Sequence, residues 1–175
     1  MSDSYWVQVN EPTLRQGDYL KDCFVPLFVD LTEGTGPRDV SDVSVDVFEL
    51  IILTQSCDLE HTKTRLVAMC PIQPVAEFEK RNPEFQKKGK WNEVRKGRME
   101  GLHMLGSPTN PDNNREALVV DFREIYSLPY EYLVKHAIQL GPRRRLKSPF
   151  LEHFSQAFAR FFMRVGLPSS IPEFQ

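Results

Sequence analysis

The chain has 175 residues, 41% of them hydrophobic and 26% charged, with a net charge of −2. That length supports one domain with a full core, and the near-neutral balance excludes a chain steered to nucleic acid by its overall charge. The apolar runs, such as residues 50–53 and 66–70, are strand-sized and far short of the ~20 residues of a membrane span. Cys23, Cys57 and Cys70 are odd in number and irregularly spaced, which argues against a disulfide framework. The first fifteen residues lack the apolar core of a signal peptide, so a cytoplasmic setting without membrane contact is expected.

In chain order, Gly17-Asp18 is a turn signal. The aromatic-rich strand after it places Tyr19, Cys23, Val25 and Leu27 on one face by simple alternation. Residues 32–42 read as a loop rich in Gly, Pro and small polar residues. Residues 43–55 (VSVDVFELIILTQ) start with alternation and end in a continuous apolar run, the pattern of a strand that becomes buried on both faces. Residues 56–64 form a polar connection and 65–72 the return strand of a hairpin. Residues 75–98 read as a helical insertion in two pieces broken at Pro83, followed by strands at 101–105 and 116–126 around the turn-rich SPTNPDNN. Residues 130–136 suit a single helical turn and 137–140 a last strand.

The C-terminal segment carries the firmest local pattern. Phe150, Leu151, Phe154, Phe158, Phe161, Phe162 and Val165 recur at helical spacing. Ser148 is placed as the N-cap, Pro149 as the first helical residue and Gly166 as the stop. The fold class expected is therefore α+β in a single domain: a small, bent antiparallel sheet or an SH3-like β-barrel, with a helical insertion and a C-terminal amphipathic helix.

Residues 14–73 resemble the PemK/MazF-like toxin family, small SH3-like barrels that cleave RNA. Gly17-Asp18, Ile52-Leu53-Thr54 and Cys70-Pro71-Ile72 stand where that family has a Gly-Asp, a strand-end motif and a returning strand. The family's Arg-Pro before the central strand is replaced by Val47-Phe48-Glu49, and its threonine after the returning strand by Gln73. The resemblance implies the barrel more strongly than it implies the ribonuclease.

Two places carry candidate chemistry. The first is Cys57-Asp58 with His61: a thiol, a base four residues on and a carboxylate to orient it, the parts of a nucleophile triad. Its plainer reading is a Cys57 that packs at a strand end while Asp58 fixes the turn by accepting N–H bonds from residues 60 and 61. Zinc ligation by Cys57, His61, Cys70 and His103 lacks paired ligand spacing, so neither metal nor cofactor is expected.

The second place is charge. Between residues 30 and 60 there are eight acidic side chains and one basic, Arg38; between 80 and 98 there are eight basic and two acidic. Lys87, Lys88, Lys90, Arg95, Lys96 and Arg98 surround Trp91, and Arg143, Arg144 and Arg145 precede the last helix. Cations around an indole suit a phosphate backbone with a stacking platform; a solvated helix face or a match to the chain's own acidic segment accounts for them equally well. The functional expectation is a binding or adaptor module of a bacterial regulatory or defence system, contacting nucleic acid or a protein partner through these patches. The alternatives are a toxin-like ribonuclease and a cysteine-dependent enzyme centred on Cys57.

Overall fold

A computed structural model describes residues 4–28, 43–61 and 63–163. Among these residues, eight strands form one antiparallel sheet: β1 (Trp6–Val9), β2 (Asp18–Phe28), β3 (Val43–Ile52), β4 (Leu66–Pro74), β5 (Leu102–Leu105), β6 (Leu118–Asp121), β7 (Tyr126–Pro129) and β8 (Arg143–Leu146). Among the described residues, five α-helices accompany it: α1 (Ser56–Glu60), α2 (Val75–Arg81), α3 (Lys90–Arg95), α4 (Tyr130–Leu140) and α5 (Phe150–Phe162). The strand order is β1-β8-β2-β3-β4-β6-β5, with β7 also on β4. The sheet is open, so the barrel expectation is corrected: among the described residues, β1 and β5 stand at its two ends and do not pair with each other. A side chain spans the gap instead, where Trp6 Nε1 donates to Gly106 O at 2.7 Å. Among the described residues, no helix is long and apolar enough to cross a membrane.

The apolar run of β3 explains the layering. Ile51 belongs to a core that also holds Tyr19, Cys70, Phe122 and Phe154 of α5, while Leu50 and Ile52 belong to one that holds Leu133 and Ala137 of α4. Successive strand residues point to opposite faces, so a sheet covered by a helix on each side needs apolar residues at consecutive positions. A third cluster, Phe78, Phe85, Val94, Leu102 and Val119, anchors the helical insertion to β5 and β6. That insertion has the two pieces the sequence shows, with a 3₁₀ turn at Pro83–Gln86 between them.

Several sequence expectations need correction. Simple alternation along β2 fails because Asp22 sits at φ 54° and the register with β3 shifts between Leu20 and Cys23. Tyr19 therefore faces the α5 side, and Leu20, Cys23 and Val25 face the α4 side. Side chains of α4 bond to the backbone beside the bulge: His136 Nε2 bonds Lys21 O at 2.7 Å, and Phe24 N donates to the Tyr132 hydroxyl at 2.7 Å. Residues 137–140 are not a strand but the last turn of α4, because Leu133 and Ala137, four apart, both pack inward. The 116–126 strand divides into β6 and β7 around a turn held by Asp121, whose Oδ1 accepts from Arg123 N at 3.0 Å. Ser148 does not cap α5: the N-cap is Pro149, without a side-chain hydrogen bond. Val165 and Gly166 lie outside the described residues, as does the loop at 32–42.

His103 on β5 lies between the rings of Phe122 and Phe154, with centroids 6.0 and 5.9 Å away. Burial, with a smaller contribution from His153, pulls its pKa down to about 4 from an ordinary 6.5. The folded state thus favours the neutral imidazole. Its stabilising effect is complete above pH 6.5 and is lost as pH falls towards 4, because the unfolded chain takes up the proton first. Urea unfolding should show the protein losing, relative to a His103→Leu variant, about 2 kcal/mol between pH 7 and pH 5. Parallel pH curves for the two proteins would refute this.

Candidate nucleic-acid interface

The fold sorts the basic residues into three groups. Arg143 and Arg145 belong to the first. On β8, alternate side chains take opposite faces, and these two point to Asp18 at the start of β2. Arg143 is 3% exposed. Its Nε and Nη2 donate to Asp18 Oδ2 at 3.0 and 2.9 Å, and its Nη1 and Nη2 donate to the carbonyls of Glu11 and Thr13 at 2.6 and 2.7 Å. Arg145 grips the other side of Asp18 through Nε, and its Nη1 meets Glu11 Oε1 at 2.6 Å. Burial works against the charge on Arg145, but the bonds to Asp18 and Glu11 win and hold its pKa above the ordinary value. The Arg145 hydrogen bond lowers the pKa of Glu11 in turn. Among the three arginines, only Arg144 points away; it lines a cavity of about 340 Å³ with Tyr19, Lys21 and Thr109 and has no ion pair among the described residues.

Lys96 and Arg98 form the second group. Both turn to Glu93, at 4.0 and 3.3 Å. Such exposed pairs are worth little in stability, but they mask the charge of that end of α3. Lys90, at the start of α3, is half-buried and does not line the groove beside that helix.

The third group builds a site. Lys87, Lys88 and Arg95 line a groove of about 380 Å³ beside α3, together with Trp91 and the amides of Gln86, Asn92 and Asn114. These three cations have no ion pair among the described residues. Arg115 joins them from the opposite wall, carried by the 3₁₀ turn Asn114–Glu116, where the Asn113 side chain accepts from Arg115 N at 3.0 Å. Glu79 ties the walls together: it accepts from Trp91 Nε1 at 2.7 Å and from Arg115 Nη1 at 3.5 Å. Trp91 packs on Phe78 and Phe85, centroids 5.7 and 5.1 Å away. It is half-buried. The indole is a fixed wall of the groove with its N–H already used, not a free platform. None of residues 143–145 lines this groove.

No family model and no curated protein matches this chain. The groove therefore carries the functional argument by itself.

At Cys57 the packing expectation is corrected. Cys57 does not pack at a strand end: the buried run stops at Leu53, the chain turns into α1, and the thiol is exposed. Its Sγ lies 3.7 Å from Gln55 Oε1 and 3.9 Å from Asp58 Oδ1. Asp58 does not accept the N–H groups of residues 60 and 61; its carboxylate lies 3.9 Å from Lys63 Nζ, while the His61 N–H goes to Cys57 O as α1 closes. Among the described residues, the His61 ring bonds neither Cys57 nor Asp58. Cys70 and Cys23 are buried on β4 and β2, and burial pushes both thiols up, Cys23 to about 12. Among the described residues, no three His, Cys, Asp or Glu side chains gather as metal ligands.

Arg115 was not legible as a site residue. It lies in a turn-rich segment with a single positive charge, and only the packing of that turn against α2 brings it to Lys87 and Lys88.

Proposed function

We propose that this protein is a binding module that contacts single-stranded nucleic acid through the groove of Lys87, Lys88, Arg95 and Arg115. The observation that supports this reading is the convergence of four guanidinium and ammonium groups, three of them without an acidic partner among the described residues, on one groove with amide side chains and an indole wall. Arginine and lysine neutralise phosphates and release counterions. Amides hydrogen-bond sugar and base edges, and an aromatic wall favours a base over bulk water. The volume of about 380 Å³ suits one nucleotide unit and not a duplex.

Fluorescence anisotropy with a labelled uridine-rich oligonucleotide tests the reading. The triple variant Lys87→Glu/Lys88→Glu/Arg95→Glu should lose at least about tenfold in affinity, and the slope of log K against log salt should flatten by about 0.7 per lost phosphate contact. Arg143→Gln is the wrong control, because that residue holds the fold. Arg144→Glu is the right one, and leaves binding unchanged. Binding that survives the triple reversal with the same salt slope would end this reading.

A further inference from the structure

A cavity lies where the sheet splits. β3 pairs with β4 only through Leu50↔Pro71, Ile51↔Cys70 and Ile52↔Met69. Beyond Pro71, β4 leaves β3, and its residues 72–74 pair with β6. Pro71 and Pro74 bring no N–H to a ladder, so the wall they form makes few demands on β3. Residues 43–49 of β3 are left with β2 on one edge and, among the described residues, no strand on the other. The gap is a cavity of about 500 Å³ lined by Val47, Phe48, Glu49 and residues 71–74.

An unpaired run of seven residues is a template about 23 Å long for another strand. Its outer face is apolar: Val43, Val45 and Val47 are 50%, 59% and 55% exposed, and Phe24, opposite Val47, is 54% exposed. Its charge is one-sided. Asp46 is exposed on the strand, and around the cavity Glu49, Asp121 and Glu124 outnumber Arg81 and Arg123, Glu77 being paired with Lys80 at 2.7 Å. Asp121 and Arg123 cancel each other at 2.6 Å. A second copy of the same edge would bring acidic strand to acidic strand, whereas a basic segment meets opposite charge.

We propose that the β3 edge at 43–49 binds an extended, lysine- or arginine-bearing peptide segment of a partner protein as an added β-strand. Main-chain hydrogen bonds to β3 give the affinity, alternate side chains contact Val45 and Val47, and the acidic rim selects the sign of charge. This site is separate from the basic groove, and its failure leaves the nucleic-acid reading standing.

The test uses the full chain and a labelled eight-residue peptide of alternating valine and lysine, with the valine–glutamate peptide as control. Anisotropy reads affinity, and amide hydrogen exchange followed by NMR reads location. The basic peptide should bind, the acidic one should not, and protection should rise at alternate amides within residues 43–49. Asp46→Lys should weaken binding by about tenfold while leaving the unfolding midpoint in place. Absence of binding at about 1 mM peptide, or binding that leaves the 43–49 amides unprotected, overturns the proposal. So does protection of those amides that grows with protein concentration alone, which would identify a second copy as the occupant.

Discussion

Replacing Asp18 with alanine should lower the unfolding free energy by about 3–5 kcal/mol, the cost of stranding buried charge. Asp18 is fully buried, and three groups converge on it: Arg143, Arg145 and the Arg15 backbone N–H, which donates to Oδ2 at 3.1 Å. Remove the carboxylate and two guanidinium groups remain in a site built to exclude water. Arg143 keeps two backbone carbonyls, and Arg145 keeps Glu11 and the Thr13 carbonyl, so the site does not empty of partners. What it loses is the only charge that both arginines share. The deficit should barely respond to salt, because a buried cluster is poorly screened, whereas the loss from Glu11→Gln, on the exposed rim, should be small and salt-dependent. Asp18→Asn should fall between, since the amide accepts hydrogen bonds but carries no charge. Urea unfolding at low and high salt measures all three; a loss below about 1 kcal/mol for Asp18→Ala would mean that the network is not a keystone.

This network shows why part of the fold could not be read from local pattern. Arg143, Arg144 and Arg145 look like a solvated charge run. They are a strand, because the carboxylate that draws two of them inward lies 125 residues before Arg143. Three identical side chains carry no alternation of their own; which of them turn inward is decided only once Asp18 is placed opposite. β1 was missed for the related reason that its partner among the described residues is β8, more than 130 residues later in the chain. The hairpin of β3 and β4 and the helix α5 were legible, because a long apolar run and a 3.6-residue stripe are signals contained within one segment. The four residues at 137–140 were too short to tell helix from strand; the inward pair Leu133 and Ala137 settles it.

The candidate groove was half legible for the same physical reason. Charge density marks Lys87, Lys88 and Arg95, since cations close in sequence are close in space. Which of them stay free depends on acids placed by packing: Glu93 takes Lys96 and Arg98, and Glu79 takes the indole N–H of Trp91. Arg115 reaches the groove through tertiary contact alone. The Cys57 thiol was expected to pack because the preceding run is buried. Instead the Ala68 N–H donates to the Thr54 hydroxyl at 2.8 Å, and the chain then lifts off the sheet into α1.

Phe154→Ala should cost about 3–5 kcal/mol, the range for truncating a fully buried aromatic. The stripe of α5 is not uniform. Phe154 is fully buried, Phe158 and Phe161 are half-buried, and Phe162 is 56% exposed. Only Phe154 enters the sheet core, where its ring stands 5.6 Å from Phe122 and 5.9 Å from His103. The cavity left by alanine opens beside His103, held in the β5–β6 ladder, and Phe122, whose N–H is tied to Gly101 O at 2.7 Å; neither can collapse inward freely, so the upper part of the range applies. Phe158 meets Phe122 edge-on at 5.4 Å and Phe162 at 5.1 Å; with one side open to solvent, its truncation should cost less than half as much. The two substitutions also separate in their effect on acid sensitivity. Loss of the Phe154 ring admits water to His103, so the imidazole recovers part of its ordinary pKa and the stability difference between pH 7 and pH 5 shrinks. Phe158→Ala should leave that difference intact. Equal costs for the two variants, or a Phe154→Ala protein as acid-sensitive as the parent, would show that α5 docks through its outer residues and that Phe154 is not its anchor.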